Sequence, residues 1–140
     1  MKSQNDQTLP PVPRGLRLWF LIHFVVDAIV AIPLLLLPVV TLHLLGWITV
    51  DALVVRLAGA AFLAIGIESF ISRNSSREVY IAMLNLKIIW SSAATIGIGI
   101  SMGNGAPVVG WLFLGIFALF CMVWVHYRFR LNPERPSQGS

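Results

Sequence analysis

The stretch LWFLIHFVVDAIVAIPLLLLPVV, residues 18–40, decides the class of fold. It is apolar throughout except for His23 and Asp27. An α-helix rises 1.5 Å per residue, so about 20 apolar residues cross the hydrocarbon core of a bilayer. Pro33 and Pro38 each lack a backbone donor, so the helix is expected to kink at the first and end near the second. A cleaved leader is not expected, because the run is too long and Asp27 interrupts it.

Working outward, three more such runs follow. Residues 41–50 form a short apolar connector, and Asp51 is placed to cap the next helix. The expected spans are about 18–38, 52–71, 79–101 and 108–127, separated by a polar loop at 72–78 and a breaker-rich turn at 102–107. They form one transmembrane domain over 18–128, between a basic N-terminal segment at 1–17 and a polar tail at 129–140. The reading is an all-α, up-down four-helix transmembrane bundle. Composition agrees: of 140 residues 57% are hydrophobic and 11% charged, with a mean hydropathy of +0.82. Soluble domains carry about 25% charged residues, so a soluble enzyme is excluded, and disorder needs the opposite balance. The short loops leave no room for a soluble catalytic domain.

The basic residues are distributed unevenly. Lys2, Arg14 and Arg17 precede the first span, Arg73 and Arg77 lie between the second and third, and Arg128, Arg130 and Arg135 follow the fourth. The other two connections carry none. The positive-inside rule then puts both termini in the cytoplasm of a plasma-membrane protein, and the net charge of +4 reads as orientation and lipid contact rather than nucleic-acid binding. Trp19 and Trp124 are expected at the inner interface and Trp47 and Trp111 at the outer one, while Trp90 falls mid-span. A single cysteine, Cys121, excludes an internal disulfide.

Ionisable groups inside a membrane face the protein interior and pair. Asp27 and Lys87 each lie about 12 to 13 Å into their spans, which run in the same direction, so a buried Asp27–Lys87 ion pair is expected. His23 sits one turn before Asp27, and Glu68 and His126 lie close to the same end of their spans. That level makes His23 and His126 candidate ligands of a metal or haem, although no diagnostic motif accompanies them and neither cofactor is favoured. Arg56, about 7 Å deep, can snorkel or meet an acidic group. Asn85 stands about 200° from Lys87 on the helix wheel and needs a neighbour of its own. Small residues mark close packing: Gly59 and Gly66 in the second span, and Ser91, Thr95 and Gly99 with Gly97 in the third. Two stripes in the third span make it the expected central helix.

The segment RLAGAAFLAIGIESFISRN, residues 56–74, resembles the second span of DoxX-like small four-helix membrane proteins. LLLLPVVTLHLLGW, residues 34–47, is similar to their Pro-bearing exit from the first span. The resemblance implies a four-helix bundle and no particular activity.

The leading functional expectation is a non-catalytic accessory subunit or homo-oligomeric component of a larger membrane complex, steadied by Asp27 and Lys87. A small proton- or ion-coupled transporter using Asp27, Lys87 and Glu68 is the alternative. A binder of a lipophile, pigment or haem is the third reading. No nucleophile–base pair at useful spacing supports an intramembrane enzyme.

Overall fold

The computed structural model describes residues 12–131. Lys2 and Arg135, and with them most of the two expected terminal segments, lie outside the described residues. Five helices follow one another: α1 (Arg14–Leu36), α2 (Pro38–Leu44), α3 (Ala52–Ser72), α4 (Arg77–Gly103) and α5 (Gly110–Arg130). All but α2 are long and apolar enough to cross a membrane. The chain is thus all-helical with four candidate spans. The first begins at Arg14, earlier than expected, and the start of the expected connector, residues 41–44, belongs to the short helix α2.

Local chemistry explains these boundaries. Pro38 cannot continue α1 but suits the first turn of α2, where no donor is needed. Side-chain donors brace the break. Thr41 Oγ1 donates to Pro33 O at 3.1 Å and Leu37 O at 2.7 Å, carbonyls that also accept from Leu37 N and Thr41 N, and Arg56 Nε donates to Leu35 O at 3.3 Å. Arg56 therefore links α3 to the end of α1. Asp51 caps α3 as expected, its carboxylate accepting from Leu53 N and Val54 N at 2.9 and 3.2 Å.

The helices associate in two close pairs, α1 with α3 and α4 with α5. Glycine lets the first pair approach. A Cβ on Gly59 would stand 3.1 Å from both Leu34 Cβ and Leu35 Cγ, and one on Gly66 would stand 2.8 Å from Asp27 Cβ. The contacts step backwards along α1 as α3 advances. The stripes on α4 behave differently. Gly97 and Gly99 have no neighbour within 4 Å, and Ser91 and Thr95 bond back to Lys87 O and Ser91 O, each at 2.7 Å. Gly59 and Gly66 of α3 thus take up close packing against α1, whereas Gly97 and Gly99 of α4 do not take it up.

A cluster including Leu16 and Phe20 of α1, Tyr80 and Leu84 of α4, and Phe120 and Trp124 of α5 joins the two pairs at one end. Trp124 is fully buried there, 5.6 Å from Phe120 and stacked on it. Towards the opposite end an apolar cavity of about 700 Å³ lies between the pairs, walled by α1, α2 and their connector together with α4 and α5. The two loops meet where Gly46, at a φ of 97°, faces Pro107.

Gly66→Ala should therefore lower stability by about 1–3 kcal/mol, because the new methyl meets the Asp27 Cβ rather than a yielding side-chain tip. Gly97→Ala should be neutral or stabilising by up to about 1 kcal/mol, since it gains helix propensity at no steric cost. Thermal unfolding of both variants in one detergent measures the contrast.

Candidate functional site

Four side chains from three helices meet in the interior between the cavity and the aromatic cluster. His23 and Asp27 come from successive turns of α1, Ser69 from α3 and Lys87 from α4, and all four are buried. Helical spacing puts His23 and Asp27 on one face. Gly66 lets that face lie against α3.

Lys87 Nζ donates to Ser69 Oγ at 2.5 Å and lies 3.3 Å from His23 Nδ1. Ser69 in turn donates to Ile65 O at 2.6 Å. The ammonium also faces the rings of Phe20 and Trp124, at 5.1 and 5.2 Å from their centroids. Aromatic faces are electronegative, and in a desolvated site such a contact contributes about 2 kcal/mol or more. On the other side, His23 Nδ1 is 2.9 Å from Asp27 Oδ2. The direct ion pair expected between Asp27 and Lys87 is thus replaced by a relay in which the imidazole stands between carboxylate and ammonium.

The relay has an internal conflict. One ring nitrogen faces both an acceptor and a donor. With a hydrogen on Nδ1, His23 can serve Asp27 but cannot accept from Lys87. Without it the reverse holds. Beyond that 2.9 Å contact with His23 Nδ1, the buried Asp27 Oδ2 has no hydrogen-bond partner among the described residues. The His23 ring is itself held edge-on between Phe120 at 4.8 Å and Trp124 at 5.2 Å, so it cannot swing away without disturbing the aromatic cluster.

The remaining expected site residues lie elsewhere. Glu68 is exposed on α3 and accepts from Ser72 Oγ at 2.7 Å. His126 is exposed, its ring edge-on to Tyr127. The structure does not bring His23, Glu68 and His126 together, and among the described residues no three His, Cys, Asp or Glu side chains cluster in a way that could hold a metal ion. His23 and His126 cannot act as paired ligands either, because α5 turns Phe120 and Trp124 towards His23. Asn85 finds the separate neighbour it needs, accepting from Arg128 Nε at 2.9 Å on the exposed α4–α5 face. Arg56 contacts a carbonyl rather than an acid.

Sequence reasoning missed Ser69 and the aromatic nest around Lys87. Ser69 directly follows Glu68, and Trp124 lies one turn beyond Phe120, but neither spacing announces a lysine partner. It also missed a second, smaller cavity of about 40 Å³ that touches His23, Asp27, Trp90 and Ser91. Val30, Phe62, Phe113 and Phe117 wall both cavities, so these apolar side chains stand between the large cavity and His23 and Asp27. No protein-family model, curated protein or solved structure matches this chain.

Removing one member of a buried charge system strands the other, at a cost of about 3–5 kcal/mol. Asp27→Ala should lose stability on that scale. The apolar double variant Asp27→Leu/Lys87→Met should recover most of the loss. A double variant no more stable than Asp27→Ala, in the same unfolding assay, would show that the two charges are not coupled through His23.

Proposed function

We propose that this chain is a small, non-catalytic membrane protein that holds a lipophilic molecule between its two helix pairs. The observation that carries the reading is the apolar cavity of about 700 Å³, with only Thr41 and Ser101 as hydroxyl-bearing residues in its wall. Pockets for small organic ligands run from about 300 to 1,000 Å³, mostly apolar with a few placed polar groups. Bundle proteins build such sites between facing helices. The wall here fits that description, with aromatic rings at Trp47, Phe62, Phe113 and Phe117. A transport path for ions is less well supported, because the same wall offers an ion little but apolar surface.

The reading includes an up-down bundle with both termini in the cytoplasm of a plasma membrane, supported by the uneven placement of arginines. Kinship with DoxX-like proteins is proposed with it, on the segments at 34–47 and 56–74.

Native mass spectrometry of the protein released from its own membrane should find a lipophile of defined mass at one per chain. Ala106→Trp places an indole in the cavity wall from a loop, away from helix packing. It should reduce that occupancy at least about tenfold, which corresponds to about 1.4 kcal/mol. Undiminished occupancy in a folded variant would count against the cavity as the site.

A second reading, compatible with the first, is an oligomeric or accessory role. It is favoured by the α4 stripe at Gly97 and Gly99, which has nothing packed over it and is flanked by exposed Ile96 and Ile100. Such stripes let helix backbones approach. In a Cys121→Ser background, Gly97→Cys should form a disulfide-linked dimer in membranes under mild oxidation. An equally strong dimer from Leu112→Cys, on the exposed face of α5, would remove the specificity.

A further inference from the structure

The wall of the large cavity fixes where its occupant comes from, an inference that rests on the lipophile-binding reading. We propose that the cavity takes one acyl chain of a bilayer phospholipid. The chain enters sideways along the α1–α2 flank, and the charged head stays outside at the membrane surface.

Three observations lead there. First, the loop end of the cavity is covered. Leu45 and Trp47 after α2, and Ala106 before α5, belong to the wall. Between them the two loops touch, since a Cβ on Gly46 would stand 3.2 Å from Pro107 Cβ. Second, the flank is open. Ile29, Leu37, Val40 and Leu44 line the cavity and yet are 67, 58, 54 and 82% exposed. All four belong to α1, α2 or the residue that joins them. Counted from Leu18, where the apolar run begins, Ile29 lies about 16 Å along the chain's axis and Leu37 about 28 Å. In a hydrocarbon core about 30 Å thick, that interval is the half nearer α2, so the mouth faces the acyl chains of one leaflet. Third, the wall is unfit for a charged head. Among the described residues it contains no charged side chain. Its two hydroxyls are already donating, Thr41 Oγ1 to Pro33 O and Leu37 O, and Ser101 Oγ to Gly97 O at 2.9 Å. A phosphate drawn inside would lose its hydration with no cation to replace it.

The same layout orders the ligand. Phe62 and Phe117 close the inner end, where they also border the small cavity. The head end of the chain therefore passes Val40 and Leu44, and its methyl end meets Phe62 and Phe117.

The test uses full-length protein in phosphatidylcholine nanodiscs and three photoreactive probes, with the labelled residues mapped by mass spectrometry. One is phosphatidylcholine with a diazirine at the methyl end of a chain, the second carries the diazirine beside the ester, and the third is a diazirine-bearing hexadecane. The methyl-end lipid should label Phe62 and Phe117, and the ester-end lipid Val40 and Leu44. Ile29→Trp, which puts an indole in the mouth, should cut labelling of Phe62 and Phe117 about tenfold, as expected for overfilling a packed site. Labelling of Leu112 and Leu119, on the exposed face of α5, should stay unchanged in that variant and report an intact fold. Labelling of Phe117 by the hexadecane but by neither lipid overturns the phospholipid assignment and leaves the lipophile reading standing. Equal labelling of Phe117 by both lipids overturns the exclusion of the head. Undiminished labelling of Phe62 and Phe117 in Ile29→Trp overturns the sideways mouth. Failure of all three probes to reach Phe62 and Phe117 overturns this inference and the lipophile reading together.

Discussion

The rest of the molecule is arranged around one ammonium group. Lys87 stands in the middle of an apolar helix with 1% of its surface exposed. Burying a lone charge costs several kcal/mol even after the protein relaxes. The fold meets that demand from every side. α3 supplies Ser69, α1 supplies His23 and Phe20, and α5 supplies Trp124. Each helix is thereby registered against α4 by a polar or aromatic contact, although few residues of α3 and α4 touch directly. In lipid, where apolar surface gives helices little reason to prefer one another, such contacts count for more in choosing the arrangement than area does.

The spans were legible because span detection needs only length and hydropathy, and both are strong here. Asp51 and Pro38 announced their roles through chemistry confined to a few neighbouring residues. The relay was half legible. Asp27, Lys87 and His23 stand out as ionisable groups among apolar ones, and depth along the axis follows from counting. Rotation about the axis does not, and it is rotation that put an imidazole between the two charges and turned His126 outward. The stripes of Gly97 and Gly99 misled for a related reason. Small residues permit close approach without requiring it, and the helix that takes up the permission is the one whose glycines face a partner. Gly59 and Gly66 face α1, whereas Gly97 and Gly99 face nothing. The cavity was not legible at all, because it is bounded by residues from all five helices and the two loops at that end, none unusual where it stands.

The same contacts explain why the opening lies where it does. The large aromatic side chains of the core are gathered at one end, around Phe20, Tyr80, Phe120 and Trp124. Towards the other end lies the interrupted α1–α2 segment, where Pro33 and Pro38 redirect the backbone. The α1–α3 pair is held along its length by glycine contacts and by Arg56 on Leu35 O. Its separation from α4 and α5 at that end is therefore set by what fills the core and not by a loose helix.

The unequal lengths of the helices carry a consequence for how the chain sits in its bilayer. With 27 residues, α4 is about 40 Å long, while α3 and α5, with 21 each, are about 32 Å long. The hydrocarbon core is about 30 Å thick, so the two shorter helices match it and α4 exceeds it. A helix with excess length takes it up by leaning away from the membrane normal. Because α4 is anchored in its first half by Tyr80 and Lys87, the lean displaces its far end, at Ile98 and Met102, which belongs to the cavity wall. The width of the cavity is thereby coupled to lipid thickness. A thinner bilayer draws α4 further over, and a thicker one stands it upright, so the chain-length composition of the membrane enters the energetics of the site as an elastic variable.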